Sequence, residues 1–236
     1  MLDTLKSMLR PLRGSQSSSA LGVIPRMSLK DTAVQRICEA IERGELKPGE
    51  PITELGLAKT LGVAQPTIRE ALLGLEFAGV VEPVGPRKTR VTVLSRDAID
   101  DIYLVRTRLE AVAVELIISR PEPDLQPVWA EVEKMEAAAR KRLCHEFWHA
   151  DLAFHRSLWL CSGSESLRLS LERLVPKLFA FAVIRQARPS SKQLLEVARS
   201  HRRLVEVIEA RDVAEARQMM VASMESARIE DDRLGD

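Results

Sequence analysis

From Ser95 onward the chain contains no run in which apolar and polar residues alternate at the period of two that a half-buried strand requires. Apolar residues recur instead at spacings of three and four. Pro- and Gly-bearing clusters at "RPEPDLQP", "SGS" and "RPSS" cut this pattern into segments. The spacing predicts helices near residues 96–119, 125–140, 144–161, 165–187, 191–210 and 213–230. Asp97 and Asp212, the latter followed at the third residue by Glu215, supply helix-start signals. The last helix carries Ala216, Met220, Ser223 and Ala227 on one stripe. Such segments can bury their apolar stripes only against one another, so the expectation is an all-helical antiparallel bundle.

The first third reads differently. Ser28 can cap a helix with Asp31 three residues on, and Val34, Ile37 and Ile41 form its apolar stripe. Gly44 ends that helix, and "LKPGEPI" turns into a short extended piece. Thr53 caps a second helix that stops at Gly62. After the tight turn "VAQ", Pro66 sits in the first turn of a third helix, where it has no N–H to lose. That helix runs to about Ala78 with Ile68, Ala71, Leu72 and Leu75 inward. Two β-prone runs, "VVEPV" and "TRVTVL", follow and are joined by "GPRK". This order is that of a winged helix-turn-helix. The fold class is therefore mainly α: a flexible arm over residues 1–27, a winged helix-turn-helix over 28–94, a helical effector-binding and dimerisation domain over 95–230, and a tail over 231–236. The arm is read as frayed chain in preference to a transit peptide, being too broken by charge for a secretory segment.

With 236 residues, 45% of them hydrophobic, the chain can build a core in each half. The net charge of +1 means that any nucleic-acid contact must come from local basic surface. No apolar run reaches the roughly 20 residues of a membrane span. Three unclustered cysteines suit a reducing compartment, so the expected location is cytoplasmic.

Gln65, Thr67 and Arg69 fall at the N-terminal turns of the third helix, the end that a recognition helix inserts into the major groove. Arg can donate a bidentate pair to guanine, Gln suits adenine, and Thr suits a phosphate or a thymine methyl. Arg87, Lys88 and Arg90 cluster at the hairpin tip, placed for phosphate or minor-groove contact. The competing reading pairs Arg69 with Glu70 or Glu76 on a solvated face and makes the tip ordinary surface. The uninterrupted stretch "IERGELKPGEPITELGLAKTLGVAQPTIREALLGLEFAGVVEPV" resembles the GntR-family N-terminal domain over its whole length. The resemblance implies binding to double-stranded DNA, with Arg69 reaching the operator. Ala64 and Gln65 stand where members have Ser or Thr and then Arg, and Lys88 stands where many have a wing-tip Gly. These departures imply a shifted operator preference.

The segment "HEFWHADLAFHRSL", residues 145–158, holds three of the four histidines. At about 100° per residue, Asp151 and His155 lie about 40° apart on one face, whereas His149 and His145 lie about 160° and 120° from Asp151. The two pairs cannot serve one metal. Leu158 and Phe147 flank the Asp151/His155 face and make it the inward one. His201 shares an apolar stripe with Leu204, Val205 and Ile208, and Arg106 interrupts the stripe Ile102, Leu109, Ala113, Leu116. A buried arginine needs an anion. These groups point to a pocket for a divalent ion and an anionic ligand. The alternatives are a hydrogen-bonded core histidine, and an Arg106 paired with Asp151 or a helix end.

"VRTRLEAVA", "DLAFHRSL", "SGSESL" and "HRRLVEVIEARD" resemble the FCD effector domain of FadR-subfamily GntR regulators over about residues 96–230. The resemblance implies Asp151, His155 and His201 as ligands of zinc, nickel or manganese, with Ser223 standing where metal-binding members carry a fourth His. It implies Arg106 as the clamp for an effector carboxylate, with Ser223 beside it, and a homodimer on a palindromic operator. The alternative is a metal-free regulator sensing a larger acyl or anionic ligand. A remote one is a zinc hydrolase using His145 and His149 as ligands with Glu146 as base. No enzyme is expected. Low aromatic content offers no stacking platform, which favours a small carboxylate over a nucleotide.

Overall fold

A computed structural model describes residues 28–86, 88–184 and 189–235, so the expected arm and Arg87 lie outside the described residues. The chain divides between Val93 and Leu94 into two compact units.

The first unit contains α1 (Leu29–Glu42), β1 (Pro51–Thr53), α2 (Glu54–Leu61), α3 (Gln65–Phe77), β2 (Val81–Gly85) and β3 (Lys88–Val91). Ser28 and Asp31 form a reciprocal capping box, with Ser28 Oγ accepting from the Asp31 N–H at 3.0 Å. Thr53 Oγ1 accepts from the Gly56 N–H, and Gly62 ends α2 in the left-handed region at φ 66°. That glycine lets the chain reverse at once into α3, whose Ile68, Ala71, Leu72 and Leu75 are buried against Val34, Ile37 and Ile41 of α1 in the core of this unit.

The wing is larger than the two-run hairpin expected from the sequence. β1 pairs antiparallel with β3, Ile52 opposite Thr89, to give a three-stranded sheet in the order β1-β3-β2. Ile52 is buried, and the chain before it is tied to the sheet by Gly49 N–H to Val91 O at 2.9 Å and Val91 N–H to Glu50 O at 3.2 Å. Pro83 sits on the edge strand β2, where its missing N–H costs no ladder bond, and the register shifts between it and Gly85.

The second unit is helical: α4 (Arg96–Ser119), α5 (Gln126–Arg140), α6 (Cys144–Cys161), α7 (Glu165–Leu174), α8 (Pro176–Ile184), α9 (Ser191–Glu209) and α10 (Val213–Gly235). The single helix expected over 165–187 is two, broken at Val175 because Pro176 has no N–H with which to continue the ladder. The cap of α4 is Ser95, whose Oγ accepts from Ala98 N–H; Asp97 sits in the first turn. Asp212 caps α10, accepting the Glu215 N–H at 2.9 Å. α6 runs through the core and buries Phe147, Phe154, Leu158 and Trp159.

One stripe differs from the expected one. On α4 one buried stripe runs through Ile99, Ile102, Arg106, Glu110, Ala113 and Ile117, whereas Leu109 and Leu116 are only partly covered. The helix therefore turns a carboxylate inward one turn after its arginine. Among the described residues no helix is long and apolar enough to cross a membrane.

Candidate functional site

Trp148, Asp151 and His155 stand at i, i+3 and i+7 of α6 and so share one stripe. His201 reaches the same place from α9. His201 Nε2 lies 3.2 Å and His155 Nε2 3.6 Å from Asp151 Oδ1. The three side chains offer ligand atoms within 4.8 Å of one another, and among the described residues no other group of three or more His, Cys, Asp and Glu does so. All three are buried.

The partners of the ring nitrogens fix their orientation. His155 Nδ1 donates to Glu110 Oε2 at 2.8 Å, and His201 Nδ1 donates to the Val197 carbonyl at 2.9 Å. Carboxylate and carbonyl can only accept, so each Nδ1 carries a hydrogen and each Nε2 faces Asp151. Asp151 Oδ1 is buried and receives no donor in hydrogen-bonding geometry. A carboxylate oxygen with two imidazole Nε2 atoms, each imidazole braced on its far side, is a donor set that suits zinc, nickel or manganese. Burial opposes ionisation of Asp151, but His201, His155 and Arg106 outweigh it and hold its carboxyl below the ordinary value. Burial lowers His155, which favours the neutral imidazole that a metal needs.

Arg106 is 2% exposed, and its Nε donates to Glu110 Oε1 at 2.8 Å. Its buried anion is therefore Glu110, and not Asp151 or a helix end. Burial would raise the Glu110 carboxyl, but the charges of His155 and Arg106 and a hydrogen bond from each overcome it, leaving the group at about 2. The guanidinium lies 5.6 Å from the Tyr103 ring centre and 5.5 Å from that of Phe179.

A cavity of about 550 Å³ opens against these groups. Arg106, Asp151, His155, His201 and Ser223 all line it, so the metal and effector candidates share one chamber. The expectation of a site without aromatic surface is corrected here. Tyr103, Trp148 and Phe179 line the cavity, concentrating there a residue class that is scarce in the chain as a whole. Trp148 Nε1 is buried and has no hydrogen-bond partner. His145, Glu146 and His149 are not part of this chamber or of the three-ligand group.

On the first unit, Arg69 is side-chain half-exposed and paired with Glu54, not with Glu70 or Glu76. The pair is bidentate: Nε to Oε1 at 3.0 Å and Nη2 to Oε2 at 2.9 Å. Gln65 Nε2 donates to the same carboxylate at 2.9 Å, so Glu54 gathers two of the three candidate base readers. Thr67 is partly covered. On the wing, Lys88 is exposed, and Arg90 pairs across the sheet with Glu82 at 2.6 Å.

Glu54, Glu110 and Trp148 escaped the reading of the sequence. Glu110 was signalled, lying one helical turn after Arg106 at the spacing of an intrahelical ion pair. Trp148 was signalled by its place one turn before Asp151. Glu54 lies 15 residues from Arg69 across two helices and carries no local signal.

Residues 29–91 match the gntR family of bacterial regulatory proteins, and residues 101–226 match the FCD domain. The chain is 29% identical over 184 residues to the HTH-type transcriptional regulator YdhC of Bacillus subtilis, covering 77% of this chain and 81% of that one. It is 28% identical over 172 residues to a probable D-xylose utilization operon transcriptional repressor of Paenarthrobacter nicotinovorans, covering 73% and 75%. The fold is that of the solved E. coli McbR/YncC, with a TM-score of 0.70 over 89% of this chain and 100% of the other at 21% identity. A helix-turn-helix unit with its wing, joined to an FCD bundle, makes this chain a member of the GntR family in its FadR-like subfamily, a DNA-binding transcriptional regulator.

Proposed function

We propose that the chain is a metal-dependent regulator whose grip on DNA responds to a small organic carboxylate. The observation that carries this reading is the meeting of Asp151, His155 and His201 with Arg106 on the wall of one cavity. Asp151, His155 and His201 would hold the ion, which when bound supplies a Lewis-acidic seat for a carboxylate oxygen. The remaining N–H groups of Arg106 would take the second carboxylate oxygen, since Glu110 occupies only its Nε. The Ser223 hydroxyl supplies a neutral partner for the rest of the molecule. A volume of about 550 Å³ with three aromatic walls suits an acid with an apolar body better than a two- or three-carbon acid.

Regulation would follow from differential binding: an effector that favours one placement of the two DNA-reading heads of a homodimer changes affinity for a palindromic operator. A typical coupling is about 1–3 kcal/mol. Gln65, Thr67, Arg69, Arg87, Lys88 and Arg90 would make the DNA contacts, and the setting is cytoplasmic. The test selects an operator from random duplexes, then titrates it with zinc-loaded protein in the presence and absence of a panel of aliphatic, hydroxy and aromatic carboxylates. A five- to hundredfold change with one acid supports the reading. Acids that stabilise the protein without moving operator affinity would sink it.

Ser223 motivates a second reading, a metal-free sensor of a larger anion. Carboxylate binding that survives full chelation would favour that one.

A further inference from the structure

We propose that Glu110 is a positioning residue for both ligand seats at once, dictating which nitrogen of His155 faces Asp151 and holding Arg106 at the cavity wall. Its two carboxylate oxygens are divided between two donors: Oε1 takes Arg106 Nε–H at 2.8 Å and Oε2 takes His155 Nδ1–H at 2.8 Å. Glu110 is 0% exposed, so bulk water does not compete for either oxygen. Only a group with two acceptors and no donor can satisfy this arrangement, and of the neutral and charged side chains only a carboxylate is one. The consequence for His155 is a fixed tautomer. Its hydrogen is confined to Nδ1, and the Nε2 lone pair is turned toward Asp151 and the place of an ion.

The carboxamide of Glu110→Gln keeps the shape and breaks the logic. It presents one oxygen and one NH2. The guanidinium of Arg106 cannot give up a proton, so it retains the oxygen. The NH2 then faces His155 Nδ1, which must become an acceptor, and the ring hydrogen moves to Nε2. No proton is gained or lost; it changes nitrogen. In that tautomer Nε2–H points at Asp151 and cannot ligate. Glu110 thereby links the carboxylate clamp on α4 to the ligand set on α6 and α9, which neither Arg106 nor His155 could do alone.

The inference about tautomer rests on geometry alone; its consequence for metal rests on the reading proposed above. The test is nitrogen-15 NMR of histidine-labelled, chelator-treated protein, followed by competitive titration with Zn²⁺ alone, for wild type, Glu110→Gln and Arg106→Met. His155 is assigned by its loss in His155→Ala. Wild type is expected to show His155 as the Nδ1–H form and Glu110→Gln the Nε2–H form, with Zn²⁺ affinity down about 10- to 100-fold in the variant. Arg106→Met retains the carboxylate and is expected to keep the Nδ1–H form, which decides the matter if Glu110→Gln does not fold. An Nε2–H form in wild type or in Arg106→Met overturns the proposal. So does an unchanged tautomer in a folded Glu110→Gln. If wild type takes up no Zn²⁺, the metal reading fails while the tautomers still judge Glu110.

Discussion

Two arginine–glutamate pairs, one in each unit, use the same chemistry to different ends. Arg69 meets Glu54 through Nε and Nη2, and half of its side chain remains exposed. Arg106 meets Glu110 through Nε with 3% and 0% of the two side chains exposed. Exposure makes the first pair exchangeable. Glu54 itself is buried, but water and salt reach Arg69, and the outer edge of its guanidinium keeps donors for a further acceptor. Such a pair can hold the candidate base reader Arg69 in place and still release it. Burial makes the second pair part of the frame, because in a region of low dielectric Arg106 cannot be left without its anion, whereas Glu110 keeps His155 as a second donor. The burial of the arginine, and not the length of the pair, decides whether it is a latch or a strut.

The largest effect expected from this contrast follows loss of the buried anion. Glu110→Ala leaves Arg106 uncompensated and should cost about 3–5 kcal/mol of unfolding free energy in urea titration. A loss under 1 kcal/mol would mean that Arg106 reaches solvent. Arg69→Ala should cost only about 1 kcal/mol of stability, since Gln65 still donates to the buried Glu54, and weaken a specific operator about ten- to hundredfold, with far less effect on random duplex. Equal losses on both would make Arg69 a phosphate contact.

Acid sharpens the same contrast. The Glu110 carboxyl is held at about 2, below its ordinary 4.5, so its contribution is full above the ordinary value and disappears as pH falls toward the folded one. That difference is worth about 3 kcal/mol, lost between about pH 5 and pH 2. His155, lowered by burial, acts in the same direction, because the unfolded chain takes up a proton that the folded one refuses. Stability should therefore fall on acidification, and fall less steeply in Glu110→Gln. Parallel curves would show that folding does not lower the Glu110 carboxyl. The smallest effect is expected at the wing: Lys88→Ala should weaken all duplexes alike and reduce the salt slope of binding by about 1.

What was legible in the sequence is what short-range periodicity encodes. Ser28, Thr53 and Gly62 marked helix ends that depend on their own turn, and Asp151 with His155 marked an inward face through simple 100° geometry. The short extended piece that "LKPGEPI" leads into was legible, but its place in the wing was not, because Ile52 pairs with Thr89 far along the chain. Pro176 carried a visible break that the apolar run around it concealed. The site was read by its exceptional residues, Arg106 and the histidines, but their partners were harder to see. Glu110 looks like any surface glutamate until the helix phase is set by Ile99, Ala113 and Ile117. The aromatic walls were missed because an average over the chain says nothing about where Tyr103, Trp148 and Phe179 meet.

Whether Asp151, His155 and His201 form a metal seat is decided by the metal content of protein purified without added metal or chelator, beside His155→Ala. About one divalent ion per chain in wild type and none in the variant is the expected result. Wild-type protein that carries no ion, and takes up none when incubated with Zn²⁺, would contradict it.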